Sequence, residues 1–345
     1  MKARRRDLDI AKGIGIVLVV LAHAEVPYVE YIVHFHMPFF FFISGMLFTA
    51  WDMPVTKYVK RKIKSLLFPF WLWNLLWYPV FYFLYYWKNW DVKVLVVDLC
   101  EIICTVDKVP FLGATWFLPS LFWTAVLFKV IHARLFKLGT TLIIISGGGI
   151  AVFLAGIGYE VTLPYRISRT LICASFYIWG YLYSVLQIEE KLSLGIKLFT
   201  SFIAGVFYFI ITYFFEASLS DNQYDNFVLY YLAAICAIYA VLNICFLLSK
   251  TANKLIGHIV YLGKNTMGIT IWHFLAFRVV ILLQIIVYSG NLNWLTDFPI
   301  HYSKEGWWIL YTIAGIYISI WVDKMTGAIK KFWISRFRNI SGKKS

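Results

Sequence analysis

The sequence predicts an all-α, polytopic integral membrane protein of about ten transmembrane helices with both termini cytoplasmic. Three observations lead there. Of the 345 residues, 61% are hydrophobic, 20% aromatic and only 14% charged, whereas a soluble domain carries about 25% charged residues. The apolar residues gather in runs of about 20, the length that crosses a hydrocarbon core of about 30 Å. The lysines and arginines, which give a formal charge of +14, sit in the short links between those runs and mostly on one side. Basic residues scattered in that way argue against nucleic acid as a partner, because binding it takes one continuous basic face.

Ten runs can be read in order, over 12–28, 35–50, 65–87, 112–131, 140–158, 168–187, 196–214, 227–249, 264–288 and 305–325. The first, KGIGIVLVVLAHAEVPY, is apolar except chiefly for Lys12 and His23, and the second opens just after His34 and contains His36. The third is aromatic and follows the basic link KYVKRKIK. The fourth begins with ATWFLPSLFW, and the fifth holds SGGGIA, small residues that suit close helix packing. The sixth starts after PYRISR; DNQYD separates the seventh from the eighth; the ninth contains His273. Several runs are short or interrupted, which is typical of helices that line a cavity. Residues 1–330 are expected to form one membrane domain, and 331–345 a basic cytoplasmic tail.

Orientation follows from the positive-inside rule. With a cytoplasmic N-terminus, that side receives 25 of the 32 basic residues. These are the groups around Lys2 to Lys12, Lys57 to Lys64, Lys129 to Lys137, Lys191 and Lys197, Lys250 to Lys264, and the seven from Lys324 onward. No cleavable signal is expected, since the first run carries Lys12 and His23 and lacks a small-residue cleavage site. The cysteines Cys100, Cys104, Cys173, Cys236 and Cys245 have no metal-ligand spacing, and no metal is expected.

This topology puts polar residues at depth. At 1.5 Å per residue His23 lies roughly 16 Å beyond Lys12, toward the outer half of the bilayer. His34 and His36, Trp116, and Arg166 and Arg169 enter at the same level, and ionisable groups in a membrane usually mark a site. Trp116 suits either stacking on a ligand or anchoring at the interface. Arg166 and Arg169 suit an acidic acceptor or plain snorkelling. The link from Lys57 to Lys64 is either an orientation signal or a clamp for the phosphates of a cytosolic donor.

Two stretches, LDIAKGIGIVLVVLAH and FHMPFFFFISGMLF, resemble the opening of the integral-membrane acyltransferase 3 family. That opening has Arg or Lys, ten residues and His, then F-x-M-P-x-F-F-x-I-S-G; Lys12 with His23 and Phe35 to Gly45 match it. ATWFL at 114–118 and LGKNTMGITIWHF at 262–274 resemble later signatures of the family, and DIAKGIGI is similar to the start of fucose 4-O-acetylase-like and capsular polysaccharide O-acetyltransferases. The resemblance implies transfer of acetyl from acetyl-CoA to a hydroxyl of an extracytoplasmic glycan or its lipid-linked precursor, in the bacterial cytoplasmic membrane. With the resemblance beside the reading of depth, His23 and His36 are expected as catalytic residues, Lys12, Arg61 and Lys64 on the donor side, and Trp116, Arg166 and Arg169 toward the acceptor. The family's R-x-x-R pair is Arg61 and Lys64 here, and Lys lacks the planar fork. The chain resembles the form without an extracytoplasmic hydrolase-like extension, so membrane lipids, a second copy or glycan-assembly proteins are the other expected partners.

The chemistry asks for a base or an acyl carrier, which a neutral imidazole can supply. His23 takes that role, with His36 orienting it or stabilising the oxyanion, and His273 reads as a polar contact between helices. The alternative is a transporter or flippase of glycan intermediates, which shares short, interrupted spans.

Overall fold

The computed structural model describes residues 5–86, 91–135, 140–164, 166–187, 191–302 and 305–341. The fold is 80% helical with almost no strand. Helix α1 (Arg6–His23) starts with Asp7 and Asp9, which suit the positive end of its dipole. A loop with the one-turn α2 (Glu30–Val33) leads to α3 (His36–Met46). Pro38 sits in the first turn of α3, where a missing N–H costs no helical bond.

The second expected span is shorter than a bilayer. Eleven residues make α3 only about 16 Å long, and the chain then unwinds after Leu47. Buried Lys129 satisfies that unwound backbone, its Nζ donating to the carbonyls of Ala50 (2.7 Å) and Trp51 (3.0 Å).

The basic link is helical. Helix α4 (Val55–Lys62) runs through a π-helical turn at 63–67 into α5 (Phe68–Tyr86). A further helix, α6 (Val92–Ile103), lies outside the ten runs; it is too short to span a membrane and is capped by Asp91, whose side chain accepts from the Lys93 N–H. Tyr78 and Tyr82 of α5 bind it, donating to Asp98 Oδ2 (3.1 Å) and the Asp91 carbonyl (2.7 Å).

Residues 110–116 form a 3-10 segment broken at Leu112 before α7 (Phe117–Leu135). Fully buried Asn74 of α5 serves this irregular backbone. Its Oδ1 accepts from the Val109 N–H (2.8 Å), and its Nδ2 donates to Thr115 Oγ1 (3.2 Å). Non-helical chain at membrane depth persists only where such partners exist. Helices α8 (Thr140–Glu160), α9 (Ile167–Leu186) and α10 (Leu194–Thr212) follow. A two-stranded antiparallel hairpin pairs Ala217 with Tyr224 and Ser218 with Gln223. Then come α11 (Phe227–Ser249), α12 (Lys254–Lys264), α13 (Thr266–Tyr288) and α14 (Trp307–Ser341). Residues 342–345 of the expected tail lie outside the described residues.

Helix pairs α13–α14, α8–α9, α3–α9, α10–α11 and α1–α12 make the main packing. Between α3 and α9 the backbones touch: a Cβ at Gly45 would strike the Tyr177 carbonyl, and one at Gly180 the Phe42 carbonyl. Small residues permit this approach where lipid supplies no hydrophobic drive between helices.

Among the described residues five helical stretches are long and apolar enough to cross a membrane: Val55–Tyr85, Pro110–Arg134, Leu194–Thr212, Phe227–Ser249 and Thr266–Tyr288. Two of the other runs, 12–28 and 35–50, fall short for visible reasons. Helix α1 holds Arg6, Asp7, Asp9 and Lys12, and α3 is only one half of a bilayer deep. Helix α10 turns Phe199, Phe202, Ile203, Phe209 and Ile210 outward, an apolar face suited to lipid and not to water.

Candidate active site

Five separate pieces of chain wall a cavity of about 200 Å³. Helix α1 delivers His23 from its last turn, and α3 delivers His36 from its first. The 3-10 segment supplies Trp116, α13 supplies Thr270, and the hairpin closes the space with Ser218 and Ser220. Most of the remaining lining is apolar, including Val19, Met37, Phe40 and Leu219. At about 200 Å³ the cavity is smaller than the 300–1,000 Å³ of typical drug-sized sites, so it accommodates one small reacting group and not a whole polymer.

The partner of His23 is His273, whose Nε2 lies 3.3 Å from His23 Nδ1. His273 is fully buried on α13, with its own Nδ1 2.8 Å from the Ile269 carbonyl. Phe274 packs on His23 with ring centroids 4.7 Å apart. His36 makes no hydrogen bond to His23 among the described residues; its Nδ1 is 2.9 Å from the Ile32 carbonyl.

Trp116 is held from behind. The Arg169 guanidinium lies 4.2 Å from its ring centroid, a stacked cation–π arrangement. The same guanidinium donates to the Ser220 carbonyl (2.7 Å) and Ser120 Oγ (3.4 Å). Arg169 therefore joins Trp116 to the hairpin without itself lining the cavity. Arg166 is exposed at the start of α9, with a left-handed φ of 61°, and is not part of the lining.

The donor-side candidates lie elsewhere. Lys12 pairs with buried Asp9 one turn away, Nζ to Oδ1 2.8 Å. Arg61 is exposed, 5.4 Å from the Tyr58 ring centroid. Lys64 borders a second cavity of about 520 Å³ with Phe68, Leu72, Trp73, Asp323 and Thr326. Trp73 packs edge-on against Trp272, centroids 4.4 Å apart, and Trp272 precedes His273 in the chain. The Trp73–Trp272 pair thus ties the wall of the Lys64 cavity to the helix that carries His273. No group of three or more His, Cys, Asp or Glu among the described residues could hold a metal ion.

A family model described as an acyltransferase domain matches residues 5–322 of the chain. The chain belongs to the acyltransferase 3 family. No curated protein and no solved structure matches it. Family membership makes the protein an acyltransferase and leaves the transporter reading without support. For an acyltransferase 3 protein the cavity supplies what group transfer requires: an imidazole to take a proton or carry the acyl group, inside walls that limit water.

Three lining residues escaped the sequence reading, Thr270, Ser218 and Ser220, while His273, read there as a polar contact between helices, makes that contact with His23. His273 and Thr270 lie in LGKNTMGITIWHF, so the stretch was singled out although its role was not. The hairpin serines left no trace, since a loop residue reaches a cavity only through the path of its loop.

Proposed function

We propose that this protein is a membrane O-acetyltransferase that takes acetyl from cytosolic acetyl-CoA and places it on a hydroxyl of an extracytoplasmic glycan or its lipid-linked precursor. The observation that carries this reading is the cavity in which α1 and α3 bring His23 and His36 together, with a separate cavity bordered by Lys64 of the basic link. In the proposed arrangement ten runs cross a bacterial cytoplasmic membrane with both termini cytoplasmic, the second of them as α3 followed by the unwound chain after Leu47. The Lys64 cavity then opens toward the basic, cytosolic side. Lys64 and Arg61 meet the phosphates of CoA, and the thioester end of its slender arm reaches the histidines. Lys12 holds Asp9 and so fixes the root of the helix that carries His23.

At the histidines the acceptor hydroxyl gives its proton to the imidazole as its oxygen bonds the acetyl carbon. The carbon–sulfur bond breaks, and the proton leaves with the CoA thiolate. If His23 carries the acetyl group first, its nitrogen bonds the acetyl carbon as the carbon–sulfur bond breaks, and the hydroxyl oxygen then displaces that nitrogen, the hydroxyl proton passing by way of the freed imidazole to the CoA thiolate. Trp116 and the hairpin serines present an aromatic face and hydroxyls, a combination that suits a sugar; Arg169 and Arg166 place positive charge nearby for an acidic one.

Purified protein supplied with acetyl-labelled CoA and a bacterial surface glycan should produce labelled O-acetyl ester that mild alkali releases. Incorporation absent with every glycan tested, while a different acyl-CoA is consumed, would replace acetyl in this reading.

A further inference from the structure

We propose that His273 is a positioning residue that holds His23 in the tautomer with the proton on Nδ1, so that Nε2 is the atom that reacts. The inference rests on the acyl-transfer reading of the same cavity, and it comes from hydrogen-bond directions. A carbonyl oxygen only accepts, so the 2.8 Å contact between His273 Nδ1 and the Ile269 carbonyl puts a proton on that nitrogen. A neutral His273 then has a bare lone pair on Nε2. That nitrogen lies 3.3 Å from His23 Nδ1, and two lone pairs facing each other would repel. His23 Nδ1 must therefore be the donor, and its own Nε2 is left unprotonated.

The bare Nε2 has no hydrogen-bond partner among the described residues, and His23 lines the cavity. It is the lone pair that either accepts the hydroxyl proton or attacks the thioester carbon. When Nε2 takes the proton, positive charge spreads over the imidazolium, and the bond from Nδ1–H to His273 becomes charge-assisted and stronger. His273 itself is fully buried and outside the cavity lining, so it touches neither substrate. Its anchor is the first turns of α13, whose packing against α14 and α1 keeps the accepting nitrogen in place. In the neutral form His36 also has an accepting Nε2, since its Nδ1 meets the Ile32 carbonyl at 2.9 Å. Neutral His36 thus offers the acceptor hydroxyl a second lone pair and gives an oxyanion no N–H.

The test compares His273→Gln, whose amide oxygen can accept in place of Nε2, with His273→Leu, which fills the space and accepts nothing. In the full-length protein in detergent or nanodiscs, His273→Leu should lower kcat about 10–100-fold, the usual cost of losing an orienting partner. KM for acetyl-CoA and for the glycan should stay within about twofold, because neither substrate meets residue 273. His273→Gln should recover most of kcat. Nitrogen-15 spectra of histidine-labelled wild-type protein, assigned with His23→Gln, should show His23 with a protonated Nδ1 and a bare Nε2. A His23 found protonated on Nε2 would overturn the proposal even if His273→Leu failed to fold. Wild-type kcat in His273→Leu, or an equal loss in folded Gln and Leu variants, would do the same. An inactive wild-type protein with the expected tautomer would instead fault the acyl-transfer reading and spare this one.

Discussion

His23→Ala removes the lone pair at the centre of the cavity, and a positioned base contributes about 10² to 10⁴ in rate. Transfer should fall by that factor while the yield of folded protein stays near wild type, since His23 borders open space instead of filling the core; a radiolabel transfer assay beside size-exclusion chromatography reads both. Arg169→Ala acts differently. It removes the stack on Trp116 and the bond to the Ser220 carbonyl, and a hydrogen bond to a charged group is worth about 1.5–3 kcal/mol. The hairpin and Trp116 then lose their common tie, so the glycan KM should rise roughly tenfold with acetyl-CoA KM unchanged, as initial-rate kinetics in both substrates would show. At this scale the sequence singled out Lys12, His23, His36, Trp116 and Arg169, because residue type and local motif are local properties; of these His23, His36 and Trp116 line one cavity, Arg169 stands behind Trp116, and Lys12 pairs with Asp9 elsewhere. Which of them share a cavity is not local. Trp116 and Arg169 are far apart in the chain yet stack, whereas Arg166, three residues from Arg169, is turned outward by its place at the start of α9.

Short elements do much of the positioning. Helix α3 ends partway through the expected span, and its contact with α9 is a backbone contact made possible by Gly45 and Gly180. Gly180→Val would force the helices apart, at a cost of about 1–3 kcal/mol or more for overpacking. The variant should unfold at lower temperature in detergent, and its activity should fall because the first residue of α3 is His36. The π-helical turn at 63–67 is the second such element, since it joins the basic α4 to the aromatic α5 and carries Lys64 to its cavity. In Lys64→Ala the apparent KM for acetyl-CoA should rise more than that for the glycan. The difference should shrink as salt is raised, because contacts to an exposed anion are screened. Equal donor KM in mutant and wild type would leave the basic helix as an orientation signal only. The periodic and compositional signals that announce a long apolar helix are absent from a π-turn or a two-residue strand, so these were not legible beforehand; α3 was read within the run 35–50, but its early end was not.

The molecule as a whole separates a basic end from an end where the hairpin and the 3-10 segment cover the histidines. Donor and acceptor should therefore reach it from opposite faces. In proteoliposomes of one orientation, acetyl-CoA on the face bearing Lys60 should acetylate a glycan enclosed on the other. Cysteine at position 60, in a background without the native cysteines, should be shielded from an impermeant reagent outside intact cells, and cysteine at Asn222 should be labelled. Transfer that requires both substrates on one face would refute passage of the acetyl group through the protein.

Composition, run length and motif determined by themselves that this is a helical membrane acyltransferase and singled out His23 as its candidate for chemistry, because solvation in lipid constrains sequence one residue and one helix at a time. The tertiary structure decided that His273 faces His23, that Arg169 stands behind Trp116, that hairpin serines line the cavity and that Lys64 borders a different one. Each of these depends on where elements distant in the chain meet, and that is set by the packing of whole helices, glycine against carbonyl, and not by the residues that do the chemistry.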